Sequence, residues 1–287
     1  SYSYKDIVLQ PAYSEIESRS KLDASIEFLG KRFESVAIPA NMKCIIDFKK
    51  ARELSEAGYF YVLHRFYDYK DILNWMVENK DMETISISIG VNKKDYDFID
   101  EIIEKDIRVD FITIDVAHGH HILVKQMIAY IKDKCKVKII AGNVGTYEAA
   151  SDLYGWGADA VKVGLSMGKS CTTYNCTGVG TPMFSTVESV AKGKFFSWET
   201  NIPVIADGQI REVGDVCKAL VAGANMVMIG SEFAKCEDSP ADIIGGPAFD
   251  NINKKVFYGS ASSTNKGHDG YVEGQTVYID MRNETYL

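Results

Sequence analysis

The sequence lacks the features that mark a secreted or membrane-spanning protein. No apolar run approaches the length that crosses a bilayer, and the six cysteines include no CxxC pair. The first residues, SYSYKDIVLQ, have no basic segment followed by an apolar one, so we expect no signal peptide. Scattered cysteines in a long chain are typical of reduced thiols, which predicts a cytoplasmic location.

Positive charge is scarce as well. The chain has 40 acidic and 32 basic side chains, a formal net charge of −8, and its basic clusters, such as DFKKAR, are short and interrupted. An acidic chain is repelled by nucleic acids and by anionic membranes, so we expect neither as a partner. A small anionic ligand is still compatible with this charge, because a few backbone amide groups can hold a phosphate.

What the sequence does contain is a regular series of short apolar segments. Each is almost continuously hydrophobic, as strands buried on both faces are. They read SVAIPA (35–40), GYFYVLH (58–64), TISISIG (84–90), FITIDVA (111–117), VKIIAGN (137–143), DAVKVGL (159–165), IPVIADG (202–208) and NMVMIGS (225–231). Since no linker or low-complexity stretch interrupts the series, we expect one domain over residues 1–287.

Amphipathic helical patterns separate these segments, for example DFKKARELSEAG, which ends at Gly58. Alternation of strand and helix predicts parallel strands joined by helical crossovers. Eight such units predict an α/β fold, a (β/α)8 TIM barrel, with an open doubly wound sheet as the alternative. Residues from about 246 to 287 break the rhythm and resemble two strands around a polar, glycine-rich loop. We expect a C-terminal flap hairpin over the barrel mouth, or else a hairpin that pads the barrel.

Polar groups follow most of the predicted strands, at the end where barrels carry their functional residues. They are His64 and Arg65, Asp115, HGHH (118–121), Asn143, the loop GLSMGKSCTTYNCTGVGTP (164–182), DGQ (207–209), Gly230 and Ser231. Glycine-rich loops after the late strands fit a phosphate site.

The loop 164–182 admits three interpretations. A nucleotide P-loop needs four residues before Gly-Lys-Ser, but only three separate Gly164 from Gly168. A metal pair of Cys171 and Cys176 lacks further ligands nearby, so we expect no metal site of this kind. A catalytic nucleophile needs one cysteine in a polar loop that the fold brings close to acid–base groups, and Cys171 fits this better than the other cysteines do.

Several motifs are similar to one known family. The longest is AGNVGTYEAASDLYGWGADAVKVGLSMGKSCTTYNCTGVGTPMFSTV (141–187). The others are IPANM (38–42), DVAHGH (115–120), ADG (206–208), MVMIGSEFA (226–234) and FYGSAS (257–262). In consistent order from about residue 5 to the C-terminus, they resemble the IMP dehydrogenase/GMP reductase family. The resemblance implies a (β/α)8 barrel that usually assembles as a homotetramer and binds a purine nucleoside monophosphate.

The resemblance also implies a mechanism. Cys171 would attack C2 of the purine and form a covalent thioimidate, which divides one hard displacement into two easier steps. In GMP reductases ammonia then leaves and a hydride from NADPH gives IMP. In IMP dehydrogenases a hydride leaves to NAD, and water then releases XMP. NADPH is the expected cofactor here, with NADH or NAD as alternatives.

Three features favour the reductase branch. We expect no accessory regulatory domain of the kind common in dehydrogenases, DVAHGH is similar to the reductase form DVANGY, and the C-terminal segment lacks the Arg-Tyr pair with which dehydrogenases activate water. Thr173 and Glu273 resemble the Thr–Glu pair that handles the ammonia proton, and Arg65 stands where reductases carry the lysine of HKHY. The alternatives are an IMP dehydrogenase-like oxidation of IMP to XMP with NAD, and a weakly active purine-nucleotide-binding protein.

The same match implies the binding residues. Asp207 would hold the ribose hydroxyls, and Asn143 would lie near the purine. The residues around the phosphate would be Gly208, Gly230, Ser231 and Tyr258, and Gly259 would be a further substrate-binding residue. The residues near the nicotinamide end of the cofactor would be Asp115, Ala117, His118 and Gly119.

One loop departs from the family pattern. It usually reads G-x-G-x-G-S-x-C, but here Lys169 replaces the phosphate-binding serine and Ser166 replaces a glycine. We expect Lys169 to bind phosphate as a point charge instead of as a neutral hydroxyl. Some members bind a monovalent cation through carbonyls of this loop, which correspond to Gly164, Ser166 and Cys171, and the departure leaves that cation an open question.

Overall fold

The computed structural model describes residues 1–165, 173–193, 202–245, 253–267 and 274–287. The strands in these ranges are β1 (Ile26–Phe28), β2 (Lys31–Phe33), β3 (Ala37–Pro39), β4 (Ser86–Ile89), β5 (Phe111–Asp115), β6 (Lys138–Val144), β7 (Ala160–Val163), β8 (Val204–Asp207), β9 (Met226–Ile229), β10 (Ile243–Ile244), β11 (Lys254–Tyr258) and β12 (Thr276–Asp280). Their α-helices are α1 (Phe48–Glu56), α2 (Tyr69–Glu78), α3 (Lys93–Glu104), α4 (Ile122–Lys134), α5 (Tyr147–Gly155), α6 (Thr173–Thr177), α7 (Met183–Ala191), α8 (Val213–Ala222), α9 (Ser231–Lys235) and α10 (Ser263–Lys266).

A parallel sheet of seven strands, in the order β3-β9-β8-β7-β6-β5-β4, forms the centre of the described structure. Helices connect successive strands, and most of them begin at a capping side chain. Asp47 accepts a hydrogen bond from the backbone N–H of Lys50 at 2.7 Å before α1, and Asp68 does the same for Lys70 at 2.9 Å before α2. The fold is therefore α/β and TIM-barrel-like, as the alternating pattern predicts.

The second predicted strand, residues 58–64, differs from the expectation of eight regular strands. It joins the sheet by a single parallel bridge, from Leu63 to β4. Side chains replace part of the usual backbone ladder here, because the Tyr61 hydroxyl donates to the carbonyl of Thr84 at 2.8 Å and the Ser88 hydroxyl donates to that of Leu63 at 2.6 Å. The segment thus lies beside β4 and is held there by the backbone bond from Leu63 to Ser86 and by these two side-chain hydrogen bonds.

Side chains alternate between the two faces of the sheet. Val161 and Val163 of β7 pack with the helices in the outer core, whereas Ala160 belongs to the inner cluster. The amino-terminal end of the inner face is filled by four buried phenylalanines, which are Phe28, Phe33, Phe60 and Phe111. Their ring centroids lie 5.1–6.2 Å apart in the contacting pairs. The hairpin of β1 and β2 therefore covers this end, which leaves the carboxyl ends of the strands for a site.

The C-terminal segment forms a three-stranded antiparallel sheet, in the order β10-β11-β12. Pairing of β11 with β12 confirms the predicted pair of strands around a polar loop. Lys255 of β11 is 1% exposed, and its ammonium group donates to the carbonyls of Glu237, Ser239 and Ala241 at 2.9–3.3 Å. These bonds fix β11 to the segment between α9 and β10, whereas movement of the loop as a flap stays a prediction.

The helices of the described ranges are short compared with the thickness of a bilayer. None of them is both long enough and apolar enough to cross a membrane.

Candidate functional site

A cavity of about 420 Å³ opens at the carboxyl ends of the strands. Its wall is formed by residues at or after the ends of β3, β5, β6, β7 and β8, together with the connection that follows β11. Of the residues predicted from the sequence, it brings together Arg65, Asp115, Ala117, Asn143, Gly164, Thr173, Asp207 and Gly259. The expected end of the barrel thus carries a concave site with several candidate residues in its wall.

Lys162 lies at the centre of the charged groups in this cavity. Its ammonium nitrogen is 2.9 Å from Asp115 Oδ1 and 2.8 Å from Asp207 Oδ2, and the residue is only 2% exposed. Burial opposes the charge of this lysine, but the two carboxylates outweigh burial and raise its pKa above the ordinary value. The group is therefore a cation held between two anions.

Asp115 is held from two sides. Lys162 contacts one carboxylate oxygen, and the side-chain amide of Asn41 donates to the other at 3.0 Å. Burial alone would raise the pKa of Asp115, but the charges of Lys162 and Arg65 and the Asn41 hydrogen bond hold it below its usual value. Asp115 is therefore an ionised acceptor in the cavity wall.

Asn143 joins the end of β7 to the end of β8. Its side-chain amide donates to the carbonyl of Gly164 at 2.9 Å and to Asp207 Oδ2 at 2.9 Å. The amide oxygen of Asn143 is buried and has no hydrogen-bond partner among the described residues. A buried polar atom without a partner costs free energy, so this oxygen is an acceptor suited to a donor group of a ligand.

Gly164 allows two strand ends to approach closely. Its φ is +141°, and a Cβ atom there would lie 2.0 Å from the backbone oxygen of Asp207. Only glycine combines this backbone conformation with this contact. The glycine that opens the predicted nucleophile loop therefore determines where Asp207 can lie.

Arg65 and His64 end the segment that bridges to β4. Arg65 lines the cavity, and its Nε is buried without a partner among the residues that the structure describes. His64 is 1% exposed, and its Nδ1 accepts a hydrogen bond from the backbone N–H of Phe66 at 3.1 Å. Burial, with the nearby charge of Lys43, lowers the pKa of His64 to about 4. The strand end thus carries a neutral imidazole beside a guanidinium.

The predicted catalytic residues are only partly covered. Thr173 is the first residue of α6 and lines the cavity. Cys171, Glu273, Lys169 and Ser166 lie outside the described residues, so their predicted roles remain predictions. The exposed Cys176, the other cysteine of the loop, is a free thiol on α6.

The residues predicted around the phosphate lie at separate strand ends. Gly208 follows β8 with a φ of +126°, and Gly230 precedes α9, in which Ser231 is buried. Tyr258 ends β11, and burial, with smaller effects of nearby acidic groups, raises its pKa to about 12. These residues do not line the described cavity, whereas Gly259, predicted to bind the substrate, borders it.

The segment after β5 lies along another part of the wall. Ala117 and His118 are exposed, and Ala117 borders the cavity whereas His118 does not. Gly119 is buried against the backbone of β6, where a Cβ atom would lie 2.9 Å from the carbonyl carbon of Gly142. No group of His, Cys, Asp and Glu in the described ranges could hold a metal ion.

The sequence interpretation missed Lys162 and Asn41 as site residues. A usable signal for Lys162 was present, because DAVKVGL is otherwise apolar and a lone lysine in a strand buried on both faces requires anionic partners. Asn41 follows β3 within IPANM, and nothing in its local pattern indicates Asp115 as its partner.

Comparisons with known proteins identify the family of the chain. Residues 1–284 match the family described as IMP dehydrogenase / GMP reductase domain. The chain is 44% identical over 281 residues to GMP reductase of Acidovorax ebreus (strain TPSY), with 96% of this chain and 83% of that protein covered. It is 41% identical over 285 residues to GMP reductase of Mesoplasma florum, with coverages of 98% and 86%. The chain therefore belongs to the IMP dehydrogenase/GMP reductase family of enzymes.

Proposed function

We propose that the chain is an NADPH-dependent GMP reductase that converts GMP to IMP and ammonia through a covalent intermediate on Cys171. The observation that carries the proposal is that Asp207, Asn143 and Thr173 line one cavity, and Thr173 follows Cys171 by two positions in the chain. Relatives at 41–44% identity that bear the name GMP reductase support the same conclusion. A carboxylate, an amide and a hydroxyl suit the ribose, the base and the leaving group of a nucleotide substrate.

Asp207 and Asn143 bind the nucleoside. Lys162 and Asn143 both contact Oδ2 of Asp207, so Oδ1 can accept hydrogen bonds from ribose hydroxyls. The amide oxygen of Asn143, which has no partner among the described residues, accepts from an N–H of the purine. The phosphate binds to Lys169 and to the group of Gly208, Gly230, Ser231 and Tyr258.

Cys171 carries the covalent step. Its thiolate attacks C2 of GMP, and the C2–N bond then breaks as ammonia leaves. The hydroxyl of Thr173 and the carboxyl group of Glu273 supply the proton that the departing nitrogen takes up. Arg65, whose Nε has no partner within the described ranges, balances the negative charge of Asp115 beside the reacting base. In total, GMP, one hydride and two protons give IMP and an ammonium ion.

Asp115, Ala117, His118 and Gly119 form the side proposed for the cofactor. When bound, the nicotinamide supplies the hydride that replaces sulfur at C2. These residues fit such a group. Asp115 is an ionised acceptor for ribose hydroxyls, and Ala117 is exposed, so a ligand can reach this part of the cavity wall. A monovalent cation at Gly164, Ser166 and Cys171 would order the loop that carries the nucleophile.

Cofactor absorbance tests the proposed function. With GMP and NADPH, we expect loss of the reduced cofactor together with equimolar IMP and ammonium. Cys171→Ala should abolish turnover while GMP binding, measured by calorimetry, persists. Cys176→Ala is the matched control and should keep its activity, because this thiol is exposed on α6.

The same assay separates the alternatives. Formation of NADH from IMP and NAD, without the reductive reaction, would assign a dehydrogenase. Binding of GMP without turnover would indicate a nucleotide-binding protein. Either result would contradict the reductase proposal.

A further inference from the structure

Lys162 lines the cavity and contacts side chains of three other strands. Its ammonium nitrogen contacts Asp115 of β5 and Asp207 of β8 at 2.9 and 2.8 Å, and it lies 3.9 Å from the sulfur of Met228 on β9. A buried ammonium group is destabilising unless well-placed partners offset its lost hydration. Both carboxylates contact one nitrogen atom, so their positions are tied to each other.

The register of the sheet explains how the lysine reaches both carboxylates. Asp115 is paired with Gly142, and Gly142 is paired with Lys162, so the three residues form one row across β5, β6 and β7. Paired residues of parallel strands point to the same face. A Cβ atom at Gly142 would lie 2.5 Å from the Cβ of Lys162. Glycine at the middle position therefore opens the path by which the lysine crosses β6 to Asp115.

We propose that Lys162 is a positioning residue that couples the two halves of the cavity, because one ammonium group holds both Asp207 and Asp115 in place. The assignment of Asp207 to the nucleotide half and Asp115 to the cofactor half rests on the proposed function. Lys162 and Arg65 also balance the charge of the two carboxylates. Removing Lys162 leaves two neighbouring anions with one cation, so both carboxylates move, and binding weakens in both halves.

Steady-state kinetics tests this coupling. Lys162→Met should raise the KM for GMP and the KM for NADPH together, each by about 10-fold or more. Asp207→Asn should raise mainly the KM for GMP, and Asp115→Asn mainly that for NADPH. Lys162→Arg keeps the charge and should recover part of both losses. A rise in only one KM, or a fall in kcat with both KM values unchanged, would overturn the proposal.

A control variant tests whether the effect depends on the buried position of Lys162. Lys138→Met makes the same substitution on β6, where the side chain is exposed and pairs with Asp159 at 3.3 Å. It should leave both KM values unchanged, because an exposed ion pair contributes little. If Lys162→Met does not fold, Lys162→Gln, which keeps a hydrogen-bond donor without the charge, serves in its place.

Thermal unfolding tests the same proposal without turnover. Lys162→Met should lower Tm, and adding either Asp115→Asn or Asp207→Asn should raise it again, because each removes an anion that has lost its partner. If neither second substitution raises Tm, the proposed charge coupling is wrong. If the wild-type protein does not convert GMP, the proposed function fails, while these unfolding measurements still decide the role of Lys162.

Discussion

At the scale of single residues, Gly164 gives the sharpest structural prediction. Its φ is +141°, and a Cβ atom at this position would approach the Asp207 oxygen to 2.0 Å, which leaves no room for a side chain. Gly164→Ala should lower the free energy of unfolding by about 2–4 kcal/mol. It should also raise the KM for GMP, because Asp207 must move. Denaturant unfolding and steady-state kinetics measure the two effects.

Gly178→Ala is the control for this prediction. Gly178 also has a positive φ, +71°, but a Cβ there would meet nothing within 4 Å. Gly178→Ala should therefore lower the free energy of unfolding by only about 1 kcal/mol, the cost of the left-handed backbone conformation. Equal losses in the two variants would show that backbone strain, and not the contact with Asp207, determines the effect.

His64 predicts a specific pH dependence of stability. Burial and the charge of Lys43 lower its pKa from 6.5 to about 4, so the folded state binds this proton less readily than the unfolded chain does. The stability that neutral His64 contributes is complete above its unfolded pKa and is lost as pH falls towards 4. Between the unfolded pKa and about pH 4, the free energy of unfolding of the wild type should fall by about 3 kcal/mol more than that of His64→Gln. Equal pH profiles of the unfolding free energy in the wild type and in His64→Gln would contradict this.

Lys169 tests the departure from the family loop. Lys169→Ala should weaken binding of GMP by about 10-fold and leave binding of guanosine unchanged, because only GMP carries the phosphate. Calorimetry with both ligands gives the comparison. Equal losses for GMP and guanosine would show that Lys169 does not contact phosphate.

Residue type and position in the chain are enough to predict part of the cavity wall. Asp115, Asn143 and Asp207 each follow an apolar run, and the carboxyl ends of parallel strands converge at one end of a barrel. Lys162 lies within a run instead of after it, and its two partners are distant in sequence. Its role depends on the register of three strands, which the local pattern does not encode.

At the scale of elements, the anchor of β11 is open to test. Lys255→Met removes one ammonium group that donates to three backbone carbonyls, all within the segment 237–241. We expect the free energy of unfolding to fall by about 2–4 kcal/mol and hydrogen exchange in β11 to become faster, because the three carbonyls lose their charged donor. Since Gly259 follows this strand and borders the cavity, the KM for GMP should also rise.

Lys254→Met controls for the lost positive charge on the same strand. Lys254 is partly exposed and pairs with Asp280 at 3.0 Å, so its replacement should change stability by less than about 1 kcal/mol. A similar loss in both variants would contradict an anchoring role of Lys255.

Regular helices can be predicted from the sequence more readily than irregular segments can. The pattern DFKKARELSEAG predicts α1, and the amphipathic patterns between the apolar runs predict helical crossovers, because an amphipathic period and its caps are local properties. The segment 58–64 has the same apolar character as a strand, but it forms a single bridge, with side-chain hydrogen bonds of Tyr61 and Ser88 beside it. Such contacts join residues about 25 positions apart, so the apolar run alone cannot distinguish a bridge from a full strand.

At the scale of the whole molecule, the exposed N-terminal segment bears on assembly. Val8 is 87% exposed and Tyr13 is 90% exposed, and Ile16 and Leu22 are exposed as well. Apolar side chains clustered in one exposed segment are typical of a surface that another subunit covers. We therefore predict that light scattering gives the mass of four chains of 31.9 kDa.

The double variant Val8→Ser/Tyr13→Ser should give a smaller mass. The control variant Gln10→Ser/Glu15→Ser removes exposed polar side chains from the same segment and should not change the mass. An unchanged mass in the first variant would exclude these side chains from the interface, and a wild-type mass of one chain would contradict the assembly itself.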